Sequence, residues 1–208
     1  MPITIPISDS DPALARRASQ LAYFTVGYNA LEALVAITSG LLARSIALVG
    51  FGLDSVIETA SALVILWRFR SPQHHPQERA ESLAVKLVGA TFFVLAAYVS
   101  YEAISGLWFQ RQPTFSILGT VIAVLSLIIM PILGLAKRRL ATRLASRALA
   151  ADAAQTLLCS YLSGALLLGL IANGWLGWWW ADAVAALCMV PYMVWEGQEA
   201  FGVASPGR

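Results

Sequence analysis

Ser45-Ile-Ala-Leu-Val-Gly-Phe-Gly-Leu-Asp54-Ser-Val-Ile-Glu58-Thr-Ala-Ser-Ala-Leu-Val-Ile-Leu-Trp67 is an apolar run with two carboxylates in its middle. As a helix it is about 30–35 Å long at roughly 1.5 Å per residue, enough to span a bilayer. Asp54 and Glu58 stand at i and i+4, so they stack on one helix face about one turn apart. A carboxylate at the hydrocarbon centre costs roughly a few kcal/mol on insertion scales, and two on one face also repel each other. Either the pair is hydrogen-bonded to Ser, Thr or backbone with structural value only, or a bound cation offsets it. Ionisable residues inside membrane segments mark ion pathways and relays, which makes the cation the leading reading.

The rest of the chain fits that setting. Of 208 residues, 58% are hydrophobic and only 12% are charged, against roughly 25% charged in soluble domains. This is the composition of a polytopic membrane protein, and no nucleic-acid partner is expected. Cys159 and Cys188 lie in apolar stretches without CxxC spacing, so neither a disulfide framework nor a zinc finger is indicated. The first residues, Met1-Pro-Ile-Thr-Ile-Pro, lack the basic and apolar regions of a signal peptide.

Six apolar spans can be drawn, at 20–39, 45–67, 82–108, 114–135, 151–173 and 178–195. The expected organisation is a cytosolic tail over 1–19, a six-helix transmembrane domain over 20–195, and a short cytosolic tail over 196–208. Lys and Arg set the orientation. With the N-terminus inside, all 14 basic residues except Arg44 and Arg111 fall on the cytosolic side, including Lys137, Arg138, Arg139, Arg143 and Arg147 after the fourth span. The fold class is therefore an all-α integral membrane protein with six transmembrane helices, N-in and C-in. It is multi-pass, and in a bacterium it would sit in the plasma (inner) membrane. Trp175 and the run Trp178-Trp179-Trp180 fall in the outer hairpin between spans five and six, as an interfacial aromatic belt would.

Three further polar groups interrupt the spans. Asn29 and Glu32 share a face of the first span, where an Asn can bridge helices and a Glu is harder to account for. Glu102 lies near the outer mouth, where it can snorkel to the interface. Span five opens Ala151-Asp152-Ala-Ala-Gln155-Thr-Leu-Leu-Cys159, with Asp152, Gln155 and Cys159 at i, i+3 and i+7 on one stripe. Spans two and five run in opposite directions. Side by side, Asp54 would face Cys159 and Glu58 would face Gln155, with Asp152 about one turn nearer the cytosol. Two carboxylates, an amide oxygen and a thiolate then form a candidate four-ligand cage, Asp54, Glu58, Gln155 and Cys159. Oxygen ligands favour magnesium, calcium or manganese, and a thiolate moves the preference toward zinc. Cys159 can equally be a small buried hydrophobe.

At these residues the sequence resembles the cation diffusion facilitators. Ser45 to Glu58 is similar to their second transmembrane helix. Ala151 to Cys159, followed by Gly177-Trp-Trp-Trp-Ala-Asp182, is similar to their fifth helix and the entry to the sixth. The resemblance implies a cation-diffusion-facilitator-like bundle, no enzyme activity, no prosthetic group, and export of divalent metal. Zinc (Zn2+) is the leading cargo, with Mn2+, Fe2+, Co2+ or Cd2+ as alternatives, in exchange for protons and as a homodimer. It places the paired carboxylates of the metal site at Asp54 and Glu58. Where zinc members carry a His and an Asp on helix five, this chain has Gln155 and Cys159. The cytosolic domain that commonly follows helix six is not seen in this sequence, so the resemblance is to a short member. Accessory candidates are Asp152, Asn29, Glu32, and the loop pair His74 and His75.

The sequence thus predicts a secondary transporter that exports a divalent transition metal by proton antiport with alternating access. The alternative is a membrane metal-binding or scaffold protein without transport, motivated by Gln155 and the short C-terminus. An intramembrane enzyme is disfavoured because no HExxH motif or nucleophile–base pair is recognisable. Proton coupling needs a group that is protonated without metal and deprotonated with it. Gln155 cannot serve, which leaves Cys159 and the pair Asp54 and Glu58, two carboxylates that would share a proton and titrate as a unit.

Overall fold

The computed structural model describes residues 12–70, 77–144 and 146–203. Every regular element among them is a helix: α1 (Pro12–Ala43), α2 (Ile46–Arg70), α3 (Gln77–Trp108), α4 (Ile117–Leu144), α5 (Arg147–Leu176) and α6 (Ala181–Val203). The six helices match the six expected spans in order, and most extend past them. Pro131 and Pro191 lie inside α4 and α6, which continue through both.

Among the described residues, four helices are long and apolar enough to cross a membrane, over Arg16–Ala43, Ile46–Leu63, Ile117–Leu144 and Asp152–Leu176. Among the described residues of α3 the apolar stretch runs over Phe92–Trp108. Helix α6 carries Asp182 near its start, and Glu196 and Glu199 near its end.

Burial is distributed as lipid requires. Leu34, Leu42, Val94, Ile117, Ile132 and Leu168 are exposed on the outside. Asn29, Glu32, Asp54, Glu58, Lys137, Asp152 and Gln155 are buried inside. Water would favour the opposite arrangement. In a bilayer the apolar shell meets the tails, and polar groups are stable only where they face one another.

The helices pack most closely as α1 with α2, α4 with α5, and α3 with α6, and α2 lies against α5 in the interior. Glycines set two of these approaches. A Cβ at Gly52 would stand 2.7 Å from the Ile37 side chain and 2.9 Å from its backbone nitrogen. One at Gly134 would stand 2.7 Å from Leu157 Cγ and 3.1 Å from its backbone nitrogen. Gly52 precedes Asp54 by two residues and Leu157 follows Thr156, so both contacts fix helices that bear buried polar groups.

The turns after α1, α3 and α5 gather at one end of the bundle. Thr114 N–H donates to Ala43 O at 2.8 Å, and Asn173 Nδ2 donates to Pro113 O at 3.0 Å. Asp182, at the start of α6, accepts from Ser45 Oγ, from Ile46 N–H at 2.8 Å and from Ala47 N–H at 3.4 Å. It thereby caps α2 across the fold, satisfying amides that a helix start leaves open. The up-and-down course follows from these ties. Trp175, Trp178 and Trp180 are exposed at this same end.

Candidate metal centre

Helix α2 brings Asp54 and Glu58 into the interior about 12 and 18 Å from its capped start, taking 1.5 Å per residue. Both are buried, Asp54 at 3% and Glu58 at 0% exposure. Opposite them α5 presents Asp152, Gln155, Thr156 and Cys159, all buried. The α2–α5 register places Cys159 Sγ 3.0 Å from Asp54 Oδ2, where the thiol donates to the carboxylate.

One turn further, Glu58 meets Thr156, whose hydroxyl donates to its Oε1, rather than Gln155. Gln155 Nε2 is buried without a hydrogen-bond partner. The displacement is a single residue on α5, about 100° of helix rotation. Glu58 Oε2 also has no partner. The four candidate ligands therefore share one buried layer but do not close into a cage in this conformation. Among the described residues, no three His, Cys, Asp or Glu side chains converge as a ready-made metal cluster.

A second finding lay outside the sequence reading. Lys137, counted there with the cytosolic positive charges, is fully buried. Its Nζ lies 2.8 Å from Asp152 Oδ2 and 4.0 Å from Glu58 Oε1, and it donates to Thr156 Oγ1 at 2.8 Å. The contact to Asp152 is an ion pair by distance without the alignment of a hydrogen bond, and both Asp152 oxygens lack a hydrogen-bond partner. The signal for Lys137 was in the sequence. Met130, Leu133, Gly134, Lys137, Leu140, Ala141 and Leu144 recur at helical spacing and form the buried stripe of α4. Arg138 and Arg139 fall off that stripe and are exposed.

Glu32 belongs to a neighbouring cluster. It accepts from Ser55 Oγ of α2 at 2.8 Å and from Ser126 Oγ of α4. Ser126 is also 2.8 Å from Tyr28 Oη. Three helices thus meet on one buried carboxylate, whose α2 donor, Ser55, is the residue after Asp54. Asn29 is buried nearby on α1 with both side-chain polar atoms unpartnered. Glu102 pairs with Arg111 at 2.8 Å, part-exposed, which accounts for it as a surface ion pair. Cys159 and Cys188 are both free thiols. His74 and His75 lie outside the described residues.

Donors and acceptors do not balance here. Asp54, Glu58 and Asp152 bring three carboxyl groups, Lys137 brings one cation, and oxygens of Glu58 and Asp152 are left open. Buried carboxylate oxygen without a donor is expensive, and a cation is the chemistry that relieves it.

Comparison with known proteins bears on the same region. A family model described as the cation efflux transmembrane domain matches residues 22–201. Transmembrane protein 163 of Xenopus laevis is 24% identical over 153 residues, covering 74% of this chain and 54% of its own length. A Synechocystis protein described as an uncharacterized transporter is 25% identical over 190 residues, covering 88% of this chain and 61% of its own length. The chain thus spans a little over half the length of these relatives.

Proposed function

The chain belongs to the cation efflux family, and from that premise we propose that it is a secondary transporter exporting a divalent transition metal, zinc foremost, from the cytosol. It is a multi-pass integral membrane protein. The observation that carries the reading is the buried acidic layer between α2 and α5, whose carboxylates have oxygens open to a cation. Asp54, Glu58, Gln155 and Cys159 supply the ligands, with Asp152, Asn29 and Glu32 near them. Two carboxylates alone would suit manganese, and the Cys159 sulfur tilts the set toward zinc and cadmium.

The metal loads when Glu58 exchanges Thr156 and Lys137 for the cation, and a rearrangement of this kind suits alternating access. Ligation requires the basic forms of Asp54, Glu58 and Cys159, so protons leave as metal enters and return as it departs. That exchange is proton antiport. A homodimer in the membrane, N-in and C-in, completes the reading.

Gln155 favours one rival. It removes a strong zinc ligand and a group that titrates near neutrality, as a metal-binding or scaffold protein without transport could tolerate. The test is flux of zinc, manganese, iron, cobalt and cadmium in proteoliposomes, with and without an imposed pH gradient. Zinc flux that follows the gradient supports antiport. Flux indifferent to it leaves facilitated movement, and zinc binding without flux leaves the scaffold.

A further inference from the structure

We infer that Lys137 is a tethered cation that competes with the transported metal for Glu58, and so sets how tightly the metal is held. The inference rests on the proposed metal role of Asp54 and Glu58. Lys137 is wholly buried and crosses from α4 to both ligand-bearing helices. Its ammonium has three donors. Asp152 Oδ2 and Thr156 Oγ1 take its nearest contacts at 2.8 Å, and Glu58 Oε1 is next at 4.0 Å. Thr156 ties the two ends together, because the hydroxyl that accepts from Lys137 donates to the same Glu58 oxygen.

The ammonium therefore lies between two carboxylates, each with an open oxygen, Glu58 Oε2 and Asp152 Oδ1. A divalent ion taken up by Glu58 would bind its oxygen at about 2.0–2.2 Å. That would bring two charges of like sign within a few ångströms in a site without bulk water. Asp152 gives the ammonium somewhere to go, since its second oxygen is open. In this arrangement Asp152 holds the lysine away and Glu58 is the contested group. A lysine suits the role because its charge is compact and its stem flexible.

The competing explanation is that Lys137 only neutralises Asp152. The two differ in sign, and the experiment exploits that. Zinc affinity of the purified full chain is measured by competition with a chelating dye, with thermal unfolding of each variant in parallel. Lys137→Met should bind zinc about tenfold or more tighter, since a nearby like charge is gone. Asp152→Asn should bind about threefold or more weaker, because the ammonium falls to Glu58. The double variant Lys137→Met/Asp152→Asn buries a neutral pair and should fold even where Lys137→Met, with its bare carboxylate, does not. It should bind at least as tightly as wild type. Unchanged affinity in Lys137→Met or a double variant as weak as Asp152→Asn would overturn the inference, while loss of binding in Asp54→Asn and Glu58→Gln kept the metal site. If those two bind zinc as wild type does, the metal site itself fails and the inference with it.

Discussion

Asp182→Ala should loosen α2 at the end that sets the depth of Asp54 and Glu58. Asp182 is 2% exposed and takes three donors at the start of α2, Ser45 Oγ just before the helix and, within it, Ile46 N–H at 2.8 Å and Ala47 N–H at 3.4 Å. Ser45 in turn accepts from Leu48 N–H at 3.1 Å, so the carboxylate holds a cap that holds the helix. Hydrogen bonds to a charged group contribute about 1.5–3 kcal/mol each, and a lost cap costs about 1 kcal/mol. Part of this is offset because alanine no longer buries a charge. A net loss of about 2–3 kcal/mol is expected, or roughly 5–10 °C in melting temperature for a chain of this size. Asp182→Asn keeps one acceptor oxygen and should lose about half as much. The assay is thermal unfolding of the detergent-purified protein, followed by tryptophan fluorescence. Zinc affinity in the same preparation should fall with Asp182→Ala, because the carboxylate pair shifts against α5. If Asp182→Ala melts with the wild type, the cap contributes no net free energy and the reasoning is refuted.

Gly134→Val should destabilise by about 1–3 kcal/mol through overpacking, because its Cβ would meet Leu157 Cγ at 2.7 Å and the Leu157 backbone nitrogen at 3.1 Å; an unaltered melting temperature would show that α4 and α5 can separate freely. Cys159→Asp, beside Asp54 at 3.0 Å, should shift the preference order from zinc and cadmium toward manganese in a flux panel. An unchanged order would mean that Cys159 packs rather than ligates. Gln155→His should strengthen zinc binding and add a titration near neutral pH; isothermal titration at several pH values checks it, and identical curves for both proteins would count against Gln155 facing the metal.

The fold was legible because bilayer physics leaves few choices. Long apolar runs had to be helices, and their number, order and antiparallel course follow from the hydropathy of the chain. The Asp54–Cys159 contact was legible too, since helical spacing alone aligns two antiparallel stripes. Glu58 against Thr156 was not. The four-residue spacings on α2 and α5 leave the rotation of one helix about its axis open, and packing at Gly134 and Leu157 enters into it. The burial of Lys137 was not legible, because charge counting treats Lys137, Arg138 and Arg139 as one cytosolic block. The buried stripe of α4 divides that block, with Leu133, Gly134, Lys137 and Leu140 inside and the two arginines outside. Asp182 was read as part of a resemblance, and its work as a cap for α2 appears only when α6 is set beside that helix's first residues.

The central claim is that Asp54 and Glu58 hold the transported metal, and zinc transport by Asp54→Asn and Glu58→Gln tests it most directly. Both variants bury a neutral amide where a carboxylate was, so they should express and melt at least as well as wild type. In proteoliposomes loaded with a zinc-sensitive dye, the expected result is loss of uptake in each variant, with loss or strong weakening of zinc binding in detergent. Normal uptake by both folded variants would contradict the claim.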